Sequence, residues 1–184
     1  MNKALALALF AAAFGLAACS GSREARLSNP APCPNVIVLA DAARVIEFDG
    51  EQVLDDVAYS GEIVDARTAC RYFGDEPIDA SVDIDLAFGL GPKGAFGEKQ
   101  FTYFVAVTRT NLEVISKKEF AVEVDFDDDR SIVVVNEDID KIVIPRADGE
   151  VAGQNFEIVI GFSLEPSQAI FNRSGKSLKF PNIQ

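Results

Sequence analysis

The side chains best placed to do chemistry in this sequence are its acids. Asp125, Asp127, Asp128 and Asp129 form the densest group, and Glu137, Asp138 and Asp140 follow closely. Several carboxylate oxygens on an adaptable loop suit calcium, a hard cation that takes oxygen ligands. The EF-hand pattern does not fit. Counted from Asp125, the position that needs Gly is Arg130, and the position that needs a bidentate Glu is Asn136. The plainer reading is a hairpin tip kept soluble by its charges, with a calcium site on Asp125, Asp127, Asp128 and Asp129 as the alternative; no other cofactor is expected. Gly89-Leu90-Gly91-Pro92-Lys93-Gly94 spells a dinucleotide-binding glycine pattern. That pattern works only when a helix N-terminus meets the pyrophosphate. Here Pro92, Gly94 and Gly97 continue the loop, and an apolar run starts at Phe101. Gly175-Lys176-Ser177 imitates the end of a phosphate-binding loop, but Ile170 stands where its first Gly belongs.

Other chemistries find few residues. There is no His, which removes the commonest general base and metal ligand near neutral pH. There is no Gly-x-Ser-x-Gly elbow to activate a serine. Paired carboxylates could serve glycoside hydrolysis, yet most acids here alternate along strand-like runs, where a solvated sheet face explains them. The chain is therefore read as a non-enzyme. Its 17 basic against 29 acidic residues, net charge −12, argue against a protein that coats nucleic acid.

The N-terminus is more specific. Lys3 precedes an uncharged, apolar run from Ala4 to Ala18. That run is shorter than the roughly 20 residues a spanning helix needs and fits the apolar region of an export signal. It ends in Leu16-Ala17-Ala18-Cys19. This resembles the lipobox of bacterial lipoproteins. The resemblance covers the leader and Cys19. It implies cleavage before Cys19, diacylglycerol on its sulfur and acylation of the new amine. Ser20, where an Asp would imply inner-membrane retention, points by the same resemblance to the outer membrane and its periplasmic face. Acyl chains contribute about 0.8 kcal/mol per buried CH₂, so such an anchor is in effect permanent. The segment 163–173 resembles an uncharacterised family of bacterial lipoproteins, which implies no activity.

Residues 1–18 thus read as signal peptide and 19–32 as a tether rich in Ser, Gly, Asn and Pro. Its thirteen residues after Cys19 reach about 43 Å stretched and about 20 Å as a coil. Once Cys19 carries lipid, Cys33 and Cys70 remain, and two cysteines in an exported chain pair by default. The chain-entropy model makes that loop worth about 4 kcal/mol.

From Asn35 onward the apolar period is two. Ile78, Ala80, Val82, Ile84, Leu86 and Phe88 alternate with polar or small residues, as do Phe120, Val122, Val124 and Phe126, and Phe156, Ile158, Ile160 and Phe162. Phe101–Thr108 and Ile132–Val135 are continuous apolar runs, and Val57, Tyr59 and Ile63 form a weaker alternation. Asp49-Gly50, Gly74-Asp75, the 89–97 glycines, 127–130 and Asp148-Gly149 supply turns. The expected fold is all-β, an antiparallel immunoglobulin-like sandwich of about seven to nine strands, with a closed barrel as runner-up. A short C-terminal helix is expected to start at Pro166, with Ala169, Ile170 and Phe171 capping an open end of the sandwich. Past residue 166 there are basic residues and no acids, giving a basic tail from about 173. The domain spans 33–184.

The function expected from these readings is non-catalytic binding or scaffolding in the bacterial envelope. The membrane is the first partner, through the lipid, and an envelope protein the second. A calcium-dependent adhesion or stability module is the alternative. A hydrophobic-ligand carrier would need a barrel with a cavity, and a glycan-active enzyme a working acid pair.

Overall fold

The computed structural model describes residues 32–177. Eight strands form two four-stranded sheets. β1 (Asn35–Val38), β8 (Phe156–Phe162), β5 (Gly97–Arg109) and β6 (Val114–Phe126) lie in that order in one sheet. β2 (Arg44–Phe48), β3 (Val57–Arg71), β4 (Ile78–Leu90) and β7 (Ile132–Ile144) form the other. One α-helix among the described residues, α1 (Pro166–Arg173), follows β8. The all-β sandwich and its C-terminal helix are thus as expected. The likeness to immunoglobulin domains is one of architecture alone, since this strand order differs from theirs. Every pairing is antiparallel except β1 with β8, which is parallel.

The strands form because alternation gives each sheet one dry face. In β4, Ile78, Val82, Ile84, Leu86 and Phe88 are fully buried, while Asp79 and Asp83 are exposed. They meet Phe101, Tyr103, Val105 and Val107 of β5, Val122, Val124 and Phe126 of β6, and Ile158, Ile160 and Phe162 of β8 in one core. Phe88 anchors the middle, stacked on Phe101 at 4.5 Å and edge-on to Phe162 at 6.1 Å. Such ring pairs add about 0.5–1.5 kcal/mol beyond the area they bury.

Registers put the turns at two ends. One end holds the 49–56, 91–96 and 127–131 connections. The other holds 72–77, 110–113, 145–155 and the start of β1. At that second end Cys33 is bonded to Cys70, with Cα atoms 5.6 Å apart. Beside the bridge the Tyr72 hydroxyl donates to the Pro32 carbonyl at 3.3 Å and accepts from the Gly153 N–H at 3.4 Å. The Arg146 guanidinium lies 4.9 Å from the Tyr72 ring centre and donates to the carbonyls of Gly74, Glu76 and Val151.

The helix does not cap an open end. It lies against β2 and the turn before it. Phe171 packs edge-on to Phe48 at 5.4 Å, and the Asn172 amide donates to the carbonyls of Asp41 and Arg44 at 2.9 and 2.7 Å. Ile170 points to solvent, 65% exposed. The reason is the short connection after β8, which carries the chain from one sheet onto β2 of the other. Gly175, at φ 75°, ends it in the left-handed conformation that glycine adopts without cost.

Candidate functional site

The acidic loop is folded around an arginine. Asp127 accepts from the Arg130 Nε at 2.8 Å and from its Nη2, and also from the Asp129 backbone N–H at 3.0 Å. Asp125 stands 3.5 Å from the same guanidinium. The Arg130 guanidinium holds the Asp127 carboxyl below the usual carboxylate range. Asp128 and Asp129 point to solvent. Among the described residues no three acidic or thiol side chains come together to hold a metal ion. Glu137, Asp138 and Asp140, which follow this loop in the sequence, sit on β7 instead of extending it. Asp138 faces Asp83 across the β4–β7 ladder. Desolvation first, then the negative charges of Asp140 and Asp83, raise its pKa.

The glycine-rich connection has a packing reason. The Gly91 N–H donates to the Ala58 carbonyl at 2.8 Å, and the Lys93 N–H to that of Val57 at 3.0 Å. A Cβ on Gly91 would come within 2.2 Å of the Val57 oxygen, and one on Gly94 within 2.3 Å of the Ala58 oxygen. These glycines let the loop lie on the start of β3. Tyr59 completes the clasp, its hydroxyl bonding both the N–H and the carbonyl of Ala95.

Cys19, with the leader and most of the tether, lies outside the described residues, as does the tail beyond Ser177. The last turn of α1 carries Arg173, whose Nε donates to Asp41 at 2.9 Å. Arg173, Asp41, Phe104, Lys117, Glu119 and Leu164 line an open hollow of about 440 Å³ beside the helix. Glu119 there is held below the usual carboxylate range by Lys117 and by the Ser163 hydroxyl.

The most site-like geometry lies on the long side of the sandwich. The two sheets end there in β6 and β7, each thirteen residues long and each, among the described residues, unpaired on its outer edge. The opposite side is occupied by β1, β2, the disulfide and α1. Between β6 and β7 the interior is reachable through a slit of about 250 Å³. Val105 and Val107 form its floor, Ile139 and Ile142 its β7 wall, and Phe120 one end. Lys117, Lys118 and Lys141 stand around it.

Two polar side chains break the dry face along this seam. On β6 the inward row is Phe126, Val124, Val122, Phe120 and then Lys118, which is opposite Val105. Its ammonium lies 4.8 Å from the Phe120 ring centre, and Phe120 stacks on Tyr103 at 5.4 Å. On β7 the row is Val133, Val135 and then Glu137, opposite the buried Ile84. Glu137 accepts from the Tyr103 hydroxyl at 3.0 Å. Burial first, and then this carboxylate, raise the Tyr103 pKa. The pair closes the slit on one side with a satisfied hydrogen bond, so the opening faces the half of the seam nearer the disulfide end.

No family model, curated protein or solved structure matches this chain.

The sequence reading did not single out Lys118 or Lys141, and it named Glu137 only among the acids that follow the 125–129 group. A signal for the first was present. Extending the alternation backward from Phe126 through Phe120 puts Lys118 on the apolar face, where a lysine has to be explained. Glu137 carries a similar one, as the polar member of the row Val133, Val135, Glu137 and Ile139; Lys141 carries none, because the β4–β7 register shifts between Ala80 and Val82 and breaks the alternation just before it.

Proposed function

We propose that this chain is a lipid-anchored protein of the bacterial envelope whose sandwich serves as a non-catalytic binding module. The anchor rests on Leu16-Ala17-Ala18-Cys19 and the apolar run before it. The observation that carries the binding role is the seam: two long edge strands and a reachable apolar floor lie on one side of the molecule, while the other side ends in the short strands β1 and β2, with the helix against β2. Edge strands and apolar grooves are the surfaces through which sandwiches recognise partners. The domain hangs on its tether with the β1 end toward the membrane and the 49–56, 91–96 and 127–131 loops away from it. The outer membrane, on its periplasmic face, is the location this reading gives.

Three measurements test it. Cys19→Ser is expected to move the protein from the membrane fraction to the soluble one, and the mass of the natural N-terminal peptide is expected to include the acyl groups; an unmodified peptide rejects the anchor. A photo-crosslinking residue at position 116 or 143, on the seam, is expected to trap a binding partner that the same residue at position 81, on the outer face of β4, does not. Equal trapping from both faces, or none from either, rejects the seam as the binding surface.

A further inference from the structure

The charges around the slit are unlike those of the rest of the molecule. The chain is strongly acidic, and Lys93, Lys99 and Lys117 each meet a carboxylate. Lys118 and Lys141 form no ion pair among the described residues, and they stand on facing edges of one apolar opening. A lysine lays its methylene stem on apolar surface and keeps its ammonium in water. Lys118 does this along Phe120. The result is a narrow dry floor with positive charge at its mouth.

We propose that this slit binds a fatty carboxylate: one alkyl chain on Val105, Val107, Ile139 and Ile142, with its carboxylate at the rim between Lys118 and Lys141. The proposal rests on the binding-module reading and names its ligand. Size supports a single chain, since about 250 Å³ is just under the ~300–1,000 Å³ of ordinary small-molecule pockets. Charge supports an anion, because the two ammonium groups meet no carboxylate among the described residues. Position supports a lipid-derived ligand, because the slit occupies the half of the seam nearer the end where the tether enters. No barrel is needed, as the gap between two sheet edges supplies the space.

Lysines on edge strands also deter edge-to-edge pairing. That role requires charge of either sign and no cavity, whereas carboxylate binding requires positive charge. The difference defines the experiment. The mature chain bearing Cys19→Ser is titrated in detergent-free buffer with dodecanoate below its micelle concentration, followed by calorimetry. Saturable one-to-one binding is expected, weakened about tenfold or more in the Lys118→Glu/Lys141→Glu variant and less so in Lys118→Gln/Lys141→Gln, which keeps the stems and guards against misfolding of the charge reversal. Dodecyltrimethylammonium, with the same chain and opposite charge, is expected not to bind. Absence of saturable dodecanoate binding, equal affinity in the charge-reversed variant, or equal binding of the cationic chain overturns the proposal. Seam crosslinks to a protein partner in a chain that ignores dodecanoate would remove this ligand and leave the binding module standing.

Discussion

Gly91 and Gly94 show how a motif can be real in spelling and structural in purpose. Each sits where a Cβ would press on a backbone oxygen of β3, and such overpacking costs about 1–3 kcal/mol. Gly94→Ala is expected to lower the urea midpoint accordingly, and an unchanged midpoint would show that the loop moves aside freely. Arg130 makes a comparable point for the acids. Because it already pairs with Asp127 and stands beside Asp125, millimolar calcium is expected to leave the thermal midpoint of the wild type unchanged; a clear rise would restore the calcium reading. Asp138 makes the opposite kind of contribution. Its folded pKa lies above the unfolded value, so its charge opposes folding at neutral pH, and that penalty fades as pH falls through the raised pKa toward the ordinary carboxylate range. Asp138→Asn is therefore expected to be the more stable protein at pH 7, more so at low salt. The gap should close in acid, and denaturation midpoints across pH measure it.

β1 is the shortest strand among the described residues. It has four residues and pairs only with β8, in the parallel sense. The Cys33–Cys70 bridge just before it supplies what its ladder does not. Cys33→Ser/Cys70→Ser is expected to lose about 4 kcal/mol of stability in the chain-entropy model, read as a drop in urea midpoint, with early loss of amide protection in β1. An unchanged midpoint would mean that β1 docks without the bridge. The elements differ in how well the sequence announces them. β4 and β8 read directly, because one face of each is wholly apolar. The first half of β6, Ser116 to Glu119, and the middle of β7, Asn136 to Asp140, lie in strands that their composition conceals. Both are edge strands, and an edge strand with a wet outer face and a charge on its inner face loses the alternation that marks a strand. The polar end of β3, from Asp65 to Arg71, is hidden for a related reason: the bulge at Val64 shifts its phase.

At the scale of the molecule, the two sides of the sandwich are unequal. One is stapled by a disulfide, crossed by β1 and flanked by a helix. The other ends in two bare edges. No reading of a single strand reveals this, because it depends on which strands finish each sheet, and chain order does not say. The candidate site was legible in the sequence only where it touched local pattern, as at Lys118, and invisible where it depended on two edges meeting. The covalent bridge has a mechanical consequence as well. If the N-terminus is held at a membrane and something pulls on the domain, tension arrives at Cys33 before it reaches β1. The bridge then diverts the load to Cys70, near the end of the fifteen-residue strand β3, which β4 grips along most of its length. A short parallel ribbon that would peel one bond at a time is bypassed, and the pull falls on a ladder whose bonds must shear together.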